Sequence, residues 1–139
     1  MKLEQSIKTC FDKTLDYQGR ASRSEYWYWI FFSTILEIIS YFISPYLTLA
    51  VSLVLFMPSL AVHVGRLHDI NKSGNWYFIV LIPVIGPLIL LFWMMGKGSA
   101  GKNRFDSDPV NEQSVLIISI VVPVILILIW LLASVTFLR

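Results

Sequence analysis

Polar and apolar positions along the chain fall into blocks instead of an even mixture. Residues 1–25 are polar and charged, and long apolar runs follow at about residues 26–44, 46–64, 76–95 and 115–138. Runs of roughly 18 to 20 apolar residues are what a helix needs to cross a bilayer core. Between the second and third runs lies Arg66-Leu67-His68-Asp69-Ile70-Asn71-Lys72-Ser73-Gly74-Asn75-Trp76, a short island holding a guanidinium, an imidazole, a carboxylate, an amide and an ammonium. Tyr46 to Val64 before it and Trp76 to Met95 after it carry no Asp, Glu, Lys or Arg. The pattern predicts a connection between two membrane spans, held at the water–lipid boundary.

Local signals divide the runs into elements. Leu3, Ile7, Phe11 and Leu15 recur every four residues, which predicts an amphipathic helix over 1–18 lying in the membrane interface and stopped near Gly19. Ser22-Arg23-Ser24-Glu25 fits an S-x-x-E capping box, and Tyr26-Trp27-Tyr28-Trp29 reads as an interfacial aromatic belt. Pro45 marks a tight turn, and Pro58 should kink the second span. Pro83-Val84-Ile85-Gly86-Pro87 interrupts the third run. That run either spans with a kink, or breaks into two half-helices and returns to its starting side. Gly96 to Gln113 is a polar, turn-forming loop, and Val115 to Leu138 is a last span kinked at Pro123. The expected fold is an all-α membrane protein. It is a four-helix transmembrane bundle, or three spans plus a re-entrant hairpin, after an interfacial helix. The division is 1–18, 19–109 and 115–138.

Composition narrows the class. The chain is 56% hydrophobic and 14% charged, against roughly 45–50% and 25% in soluble domains. A net charge of +2, with scattered basic residues, excludes a nucleic-acid partner. Cys10 is the single cysteine, so no intramolecular disulfide or cysteine metal cluster can form. The polar start has no signal-peptide core, and insertion is expected to use the first span as an uncleaved signal. Lys2, Lys8, Lys13, Arg20, Arg23, Arg66 and Lys72 place the N-terminus and the island on the cytoplasmic side. Four spans would then leave Lys97, Lys102 and Arg104 outside, against the positive-inside rule, whereas a re-entrant third segment would bring them in.

Little of this looks catalytic. His68-Asp69 lacks a nucleophile, and neighbours on a helix point about 100° apart, so Asp69 is better read as a cap or a partner for Arg66 or Arg23. Glu25 is a possible partner for His68. His63 and His68 do not share a helix face, so neither a metal nor another cofactor is expected. Glu37 sits in mid-span, where a charge costs roughly 3 kcal/mol. Counting from the Pro45 turn puts it level with Ser52. Ser33, Glu37 and Ser52 therefore form a candidate intramembrane polar site, either as packing glue or as a proton or cation site. The Gly98–Pro109 loop reads as an anion-binding turn, or as a solvated turn capped by Asn103 and Asp108.

Several motifs together resemble a known family. Gly19-Arg20-Ala21-Ser22-Arg23-Ser24-Glu25-Tyr26-Trp27 looks like G-R-x-x-R-x-E-Y-W, and Arg66-Leu67-His68-Asp69 with Ser73-Gly74 and Trp76 looks like R-L-H-D-x-x-x-S-G-x-W. Ile82-Pro83-Val84-Ile85-Gly86 resembles I-P-x-I-G, and Gly98 to Phe105 with Asp108-Pro109 resembles G-T-x-G-x-N-R-[FY]-G-x-D-P. This order and spacing is similar to the bacterial domain of unknown function 805, the YhaH/YhaI-like inner membrane proteins. Ser99, Asp106, Gly65 and Asn75 depart from its usual residues.

The resemblance implies location and architecture and no activity. The expectation is a non-catalytic, multi-pass protein of the bacterial inner membrane. Arg20, Arg23, Glu25, Arg66, His68 and Asp69 should cluster on the cytoplasmic side, joined by Asn103 and Arg104 if the third segment re-enters. That cluster would bind a lipid head group or a membrane partner protein, with a homo-oligomer as a further possibility. The alternative is a small oligomeric transporter or channel subunit using Glu37 and the broken third span.

Overall fold

A computed structural model describes residues 2–105 together with Val121, Val124, Ile125 and Leu128. The rest of the predicted last span Val115–Leu138, and Asp108-Pro109, lie outside the described residues. Among the described residues the chain is all-helical. In order come α1 (Leu3–Asp12), α2 (Arg23–Ile43), α3 (Pro45–Asp69), a 3₁₀ segment (Gly74–Leu81) and α4 (Ile85–Met95).

α1 is shorter than the periodicity predicts. Lys13 leaves helical geometry, the Thr14 hydroxyl folds back onto the Phe11 carbonyl, and Asp16 Oδ1 accepts from the backbone N–H groups of Gln18 and Gly19. The helix buries Ser6 and Cys10, while Leu3 and Phe11, from the predicted apolar edge, stay exposed. Burial pushes the Cys10 thiol up, so it stays protonated and unreactive.

α2 and α3 form the frame of the molecule, and both are long and apolar enough to cross a membrane. Ser22 caps α2 by accepting from the Glu25 N–H at 3.1 Å, and the Glu25 carboxylate accepts in return from the Ser22 backbone N–H, as in the predicted box. Ser44 ends α2 and caps α3, with Pro45 in the first turn, where its missing N–H costs nothing. Three polar pairs then bridge the antiparallel helices at matched distances from that turn. Ser52 Oγ donates to Glu37 Oε1 at 3.1 Å, Trp29 Nε1 donates to Ser59 Oγ at 3.0 Å, and Tyr26 Oη meets His63 Nε2 at 3.3 Å. In lipid, where apolar burial between helices supplies little, such bonds add about 0.6 kcal/mol each on average.

α3 does not stop near Val64. It runs through Pro58 and on to Asp69, so Arg66, His68 and Asp69 belong to its last turns and not to a loop. Its end is a Schellman arrangement. Lys72 N donates to the Leu67 carbonyl at 2.8 Å, Asn71 N donates to the His68 carbonyl at 3.0 Å, and Asn71 takes φ +60°.

The third apolar run is broken, not kinked. The 3₁₀ segment leads away from the end of α3, Pro83 and Val84 make a turn with Val84 at φ +67°, and α4 leads back. Gly86 lies so close to the Ile79 backbone carbonyl that a Cβ there would overlap it. Pro83 and Pro87 cannot donate the N–H groups that a continuous helix needs, and Gly86 permits the two arms to touch.

Candidate functional site

The charged residues converge where α3, the start of α2 and the end of α4 meet. Arg66 is completely buried, and Asp69, Glu25, Arg20 and His68 are each at least nine-tenths buried. A buried guanidinium needs its donors used and its charge offset, and the local geometry supplies both.

Asp69 is the centre of this knot. Arg20 donates to its Oδ1 from Nε at 3.1 Å and from Nη2 at 2.8 Å, while Arg66, one turn earlier on the same helix, donates to its Oδ2. The remaining guanidinium donors meet backbone carbonyl dipoles. Arg66 Nε donates to the Met94 carbonyl at 3.3 Å and its Nη2 to the Gly96 carbonyl. These carbonyls sit at the C-terminal end of α4, where the helix offers unsatisfied acceptors and partial negative charge. Arg20 donates to the carbonyls of Ser99 at 2.6 Å and Gly101 at 2.7 Å.

Backbone bonds finish the closure. Ser99 N donates to the Asp69 carbonyl at 2.8 Å, and Ala21 N donates to the Gly65 carbonyl at 2.9 Å. Gly65 lies against the Ala21 backbone, and Gly98 lies against the Asp69 carboxylate with no room for a Cβ. Over its described residues the 96–105 loop turns the carbonyls of Gly96, Ser99 and Gly101 to the arginines, with Gly98 permitting the approach, and Asn103 caps the backbone at Phe105 as expected.

His68 is held apart from this ion cluster. Its Nδ1 is 3.1 Å from the Gly19 carbonyl, which can only accept, so Nδ1 carries a proton. Its ring stacks on Phe105 with centroids 3.8 Å apart and planes 8° from parallel. Asn103 Nδ2 donates to the His68 carbonyl at 2.8 Å, its Oδ1 accepts from the Phe105 N–H, and Arg104 Nη2 donates to the Asn71 carbonyl at 3.0 Å. Asn103 and Arg104 thus join the cluster. Glu25 does not pair with His68, because its carboxylate lies 3.6 Å from Lys13 Nζ. Arg23 stands half-buried at the start of α2. Beside His68 opens a groove of about 330 Å³, lined by Tyr17, Leu60, Val64, Ser73, Gly74, Asn75, Tyr77 and Phe78.

The intramembrane candidates are partly brought together. Glu37 and Ser52 bond across α2 and α3, whereas the Ser33 hydroxyl turns back to the Ile30 carbonyl of its own helix. Sequence reasoning missed the roles of the Gly96, Ser99 and Gly101 carbonyls, of Phe105 against His68, and of Lys13 against Glu25. The glycine spacing of the loop was the available signal for the first of these. The others depend on which segments meet in space.

The family model described as "Protein of unknown function (DUF805)" matches residues 14–107. Inner membrane protein YhaI of Escherichia coli (strain K12) is 37% identical over 100 residues, covering 67% of this chain and 85% of the relative. Inner membrane protein YhaH of the same organism is 34% identical over 107 residues, covering 69% and 88%. No solved structure matches. Every residue of the Arg20–Arg66–Asp69 knot, its carbonyl partners included, lies within the matched stretch, and the chain belongs to the DUF805 family of inner membrane proteins of unknown function.

Proposed function

We propose that this is a non-catalytic, multi-pass protein with its N-terminus in the cytoplasm, which engages lipid head groups at the cytoplasmic end of the α2–α3 hairpin. The observation that carries the reading is the return of the third apolar run. Arg66 holds the end of α4 and Arg20 holds the loop after it, so Lys97, Lys102 and Arg104 share one end of the molecule with Lys13, Arg23 and Lys72. The 3₁₀ segment has 8 residues and α4 has 11. At about 2.0 and 1.5 Å per residue each arm reaches only about 16 Å, half of a bilayer core of about 30 Å. A re-entrant hairpin accounts for both the length and the positive-inside rule. On this reading α1 lies in the cytoplasmic interface, and the last apolar run is a further span.

Chemistry favours binding over catalysis. Arg20 and Arg66 spend their donors on Asp69 and on backbone carbonyls, which suits a clasp. The exposed cations Lys97, Lys102 and Arg104 around it suit phosphate at the membrane surface. A transporter or channel subunit is the second reading, favoured by the Glu37–Ser52 bond in the middle of the hairpin.

Thiol labelling of intact cells tests the topology. In a Cys10→Ser background, Ser99→Cys and Ser73→Cys should both resist an impermeant maleimide until the membrane is permeabilised. Labelling of Ser99→Cys alone from outside would place the motifs on opposite faces, overturn the single site and move transport to the front.

A further inference from the structure

The groove beside His68 carries a more specific assignment, which rests on the membrane-binding reading above. With Nδ1 donating to the Gly19 carbonyl, the tautomer this contact selects presents Nε2 as a hydrogen-bond acceptor. That atom has no partner among the described residues although His68 is 6% exposed, and it lies next to Gly74, on the groove wall. Stacking on Phe105 fixes the ring plane. An oriented acceptor in a mostly buried ring is therefore aimed at an open groove.

The lining mixes polar and apolar groups: Ser73, Asn75 and the His68 acceptor, with Val64 one turn before His68 on α3, Leu60 one turn before that, and Phe78. Tyr17 and Tyr77 add aromatic faces. Among the described residues no Lys, Arg, Asp or Glu lines it. A head group with net charge would find no counter-charge there, whereas a zwitterionic one carries its own. Acceptors and aromatic faces together suit a primary ammonium, which offers N–H donors and a positive charge.

We propose that this groove seats a zwitterionic phospholipid bearing a primary ammonium, with the ammonium on His68 Nε2 and an acyl chain along Leu60, Val64 and Phe78. The phosphate faces outward, toward water.

The test uses the full-length protein in nanodiscs containing equal parts phosphatidylethanolamine, phosphatidylglycerol and phosphatidylcholine, with the lipids retained on release read by native mass spectrometry. Phosphatidylethanolamine should be retained about tenfold or more over each of the others, the worth of one hydrogen bond from a charged donor. Phosphatidylcholine has the same charges and no N–H, so retention equal to phosphatidylethanolamine overturns the assignment. His68→Phe keeps the stacking and removes the acceptor, and Asn75→Trp fills the mouth from an exposed position. Both should abolish the preference, and its survival in either folded variant overturns the proposal. Lys97→Ala/Lys102→Ala separates the parent reading, since both lysines are exposed and away from Phe105, and it should lower total retained lipid while leaving the preference intact. If that variant loses lipid but the wild type has no preference, surface binding stands and the groove assignment falls.

Discussion

Replacing Asp69 by Asn isolates the charge at the centre of the knot. The substitution keeps volume and one acceptor oxygen, so neither a cavity nor a clash confuses the result. What changes is the balance, because two guanidinium groups in contact with Asp69 would then face a neutral amide in a site closed to water. Removing one partner of a buried ion pair costs about 3–5 kcal/mol. The weakest attachment bears that cost first, which is the 96–105 loop, held through Arg20 and Arg66. Opening of the loop should therefore become at least about a hundredfold more frequent. Trypsin reads this in detergent-solubilised protein, where topology plays no part, through the rate of cleavage after Lys97, Lys102 and Arg104. These residues are exposed already, but a protease needs the backbone around them released, so the rate follows the open population. Adding Arg20→Met to Asp69→Asn removes one of the stranded charges together with its bonds to the Ser99 and Gly101 carbonyls, so the double variant should open the loop by less than the sum of the two single substitutions, a coupling of about 0.5–3 kcal/mol. A cleavage rate for Asp69→Asn within about twofold of wild type would refute the clasp.

Four further substitutions probe the rest of the frame. Gly98→Ala places a methyl group against the Asp69 carboxylate and should open the same loop at a cost of about 1–3 kcal/mol, whereas Gly101→Ala, with open space around it but φ +71°, should cost about 1 kcal/mol of backbone strain; the same protease assay ranks them. Gly86→Ala drives a Cβ into the Ile79 carbonyl, so the two arms should separate and a fluorophore pair on Phe78 and Leu88 should lose energy transfer relative to wild type. Glu37→Gln keeps an acceptor for the Ser52 hydroxyl and should leave thermal stability in detergent unchanged or raised. A clear loss of stability would mean that the ionised carboxylate matters, as the transport reading requires.

The parts of this structure that were legible in the sequence are those fixed by short-range rules. Ser22 three residues before Glu25 gave the start of α2, and Ser44-Pro45 gave the turn. Once that turn was placed, two helices of equal rise had to bring Glu37 level with Ser52. The illegible parts have two physical causes. Apolar periodicity marks an edge without saying which way it faces, because lipid accepts apolar side chains that water would reject. α1 accordingly buries Ser6 and Cys10, small residues that allow close approach, and leaves Leu3 and Phe11 outside. Charge marks a polar site without saying whether water reaches it. Arg66 looked like a loop residue because its acceptor carbonyls lie 28 and 30 residues later, and those of Arg20 lie 79 and 81 later. No local pattern carries that pairing.

The same pairing constrains how the chain assembles. In an α2–α3 hairpin alone, the guanidinium donors of Arg20 and Arg66 that Asp69 does not take would have water as their acceptor, so that end tolerates solvent and not burial. Burial becomes affordable when α4 arrives with its free C-terminal carbonyls and the loop adds those of Ser99 and Gly101. The third run must therefore return to the end it left, because a continuous span would deliver those carbonyls to the opposite side. The broken run at Pro83–Pro87 and the buried arginines at the other end of the segment are thus one device. The break supplies the return, and the arginines hold the returned end in place.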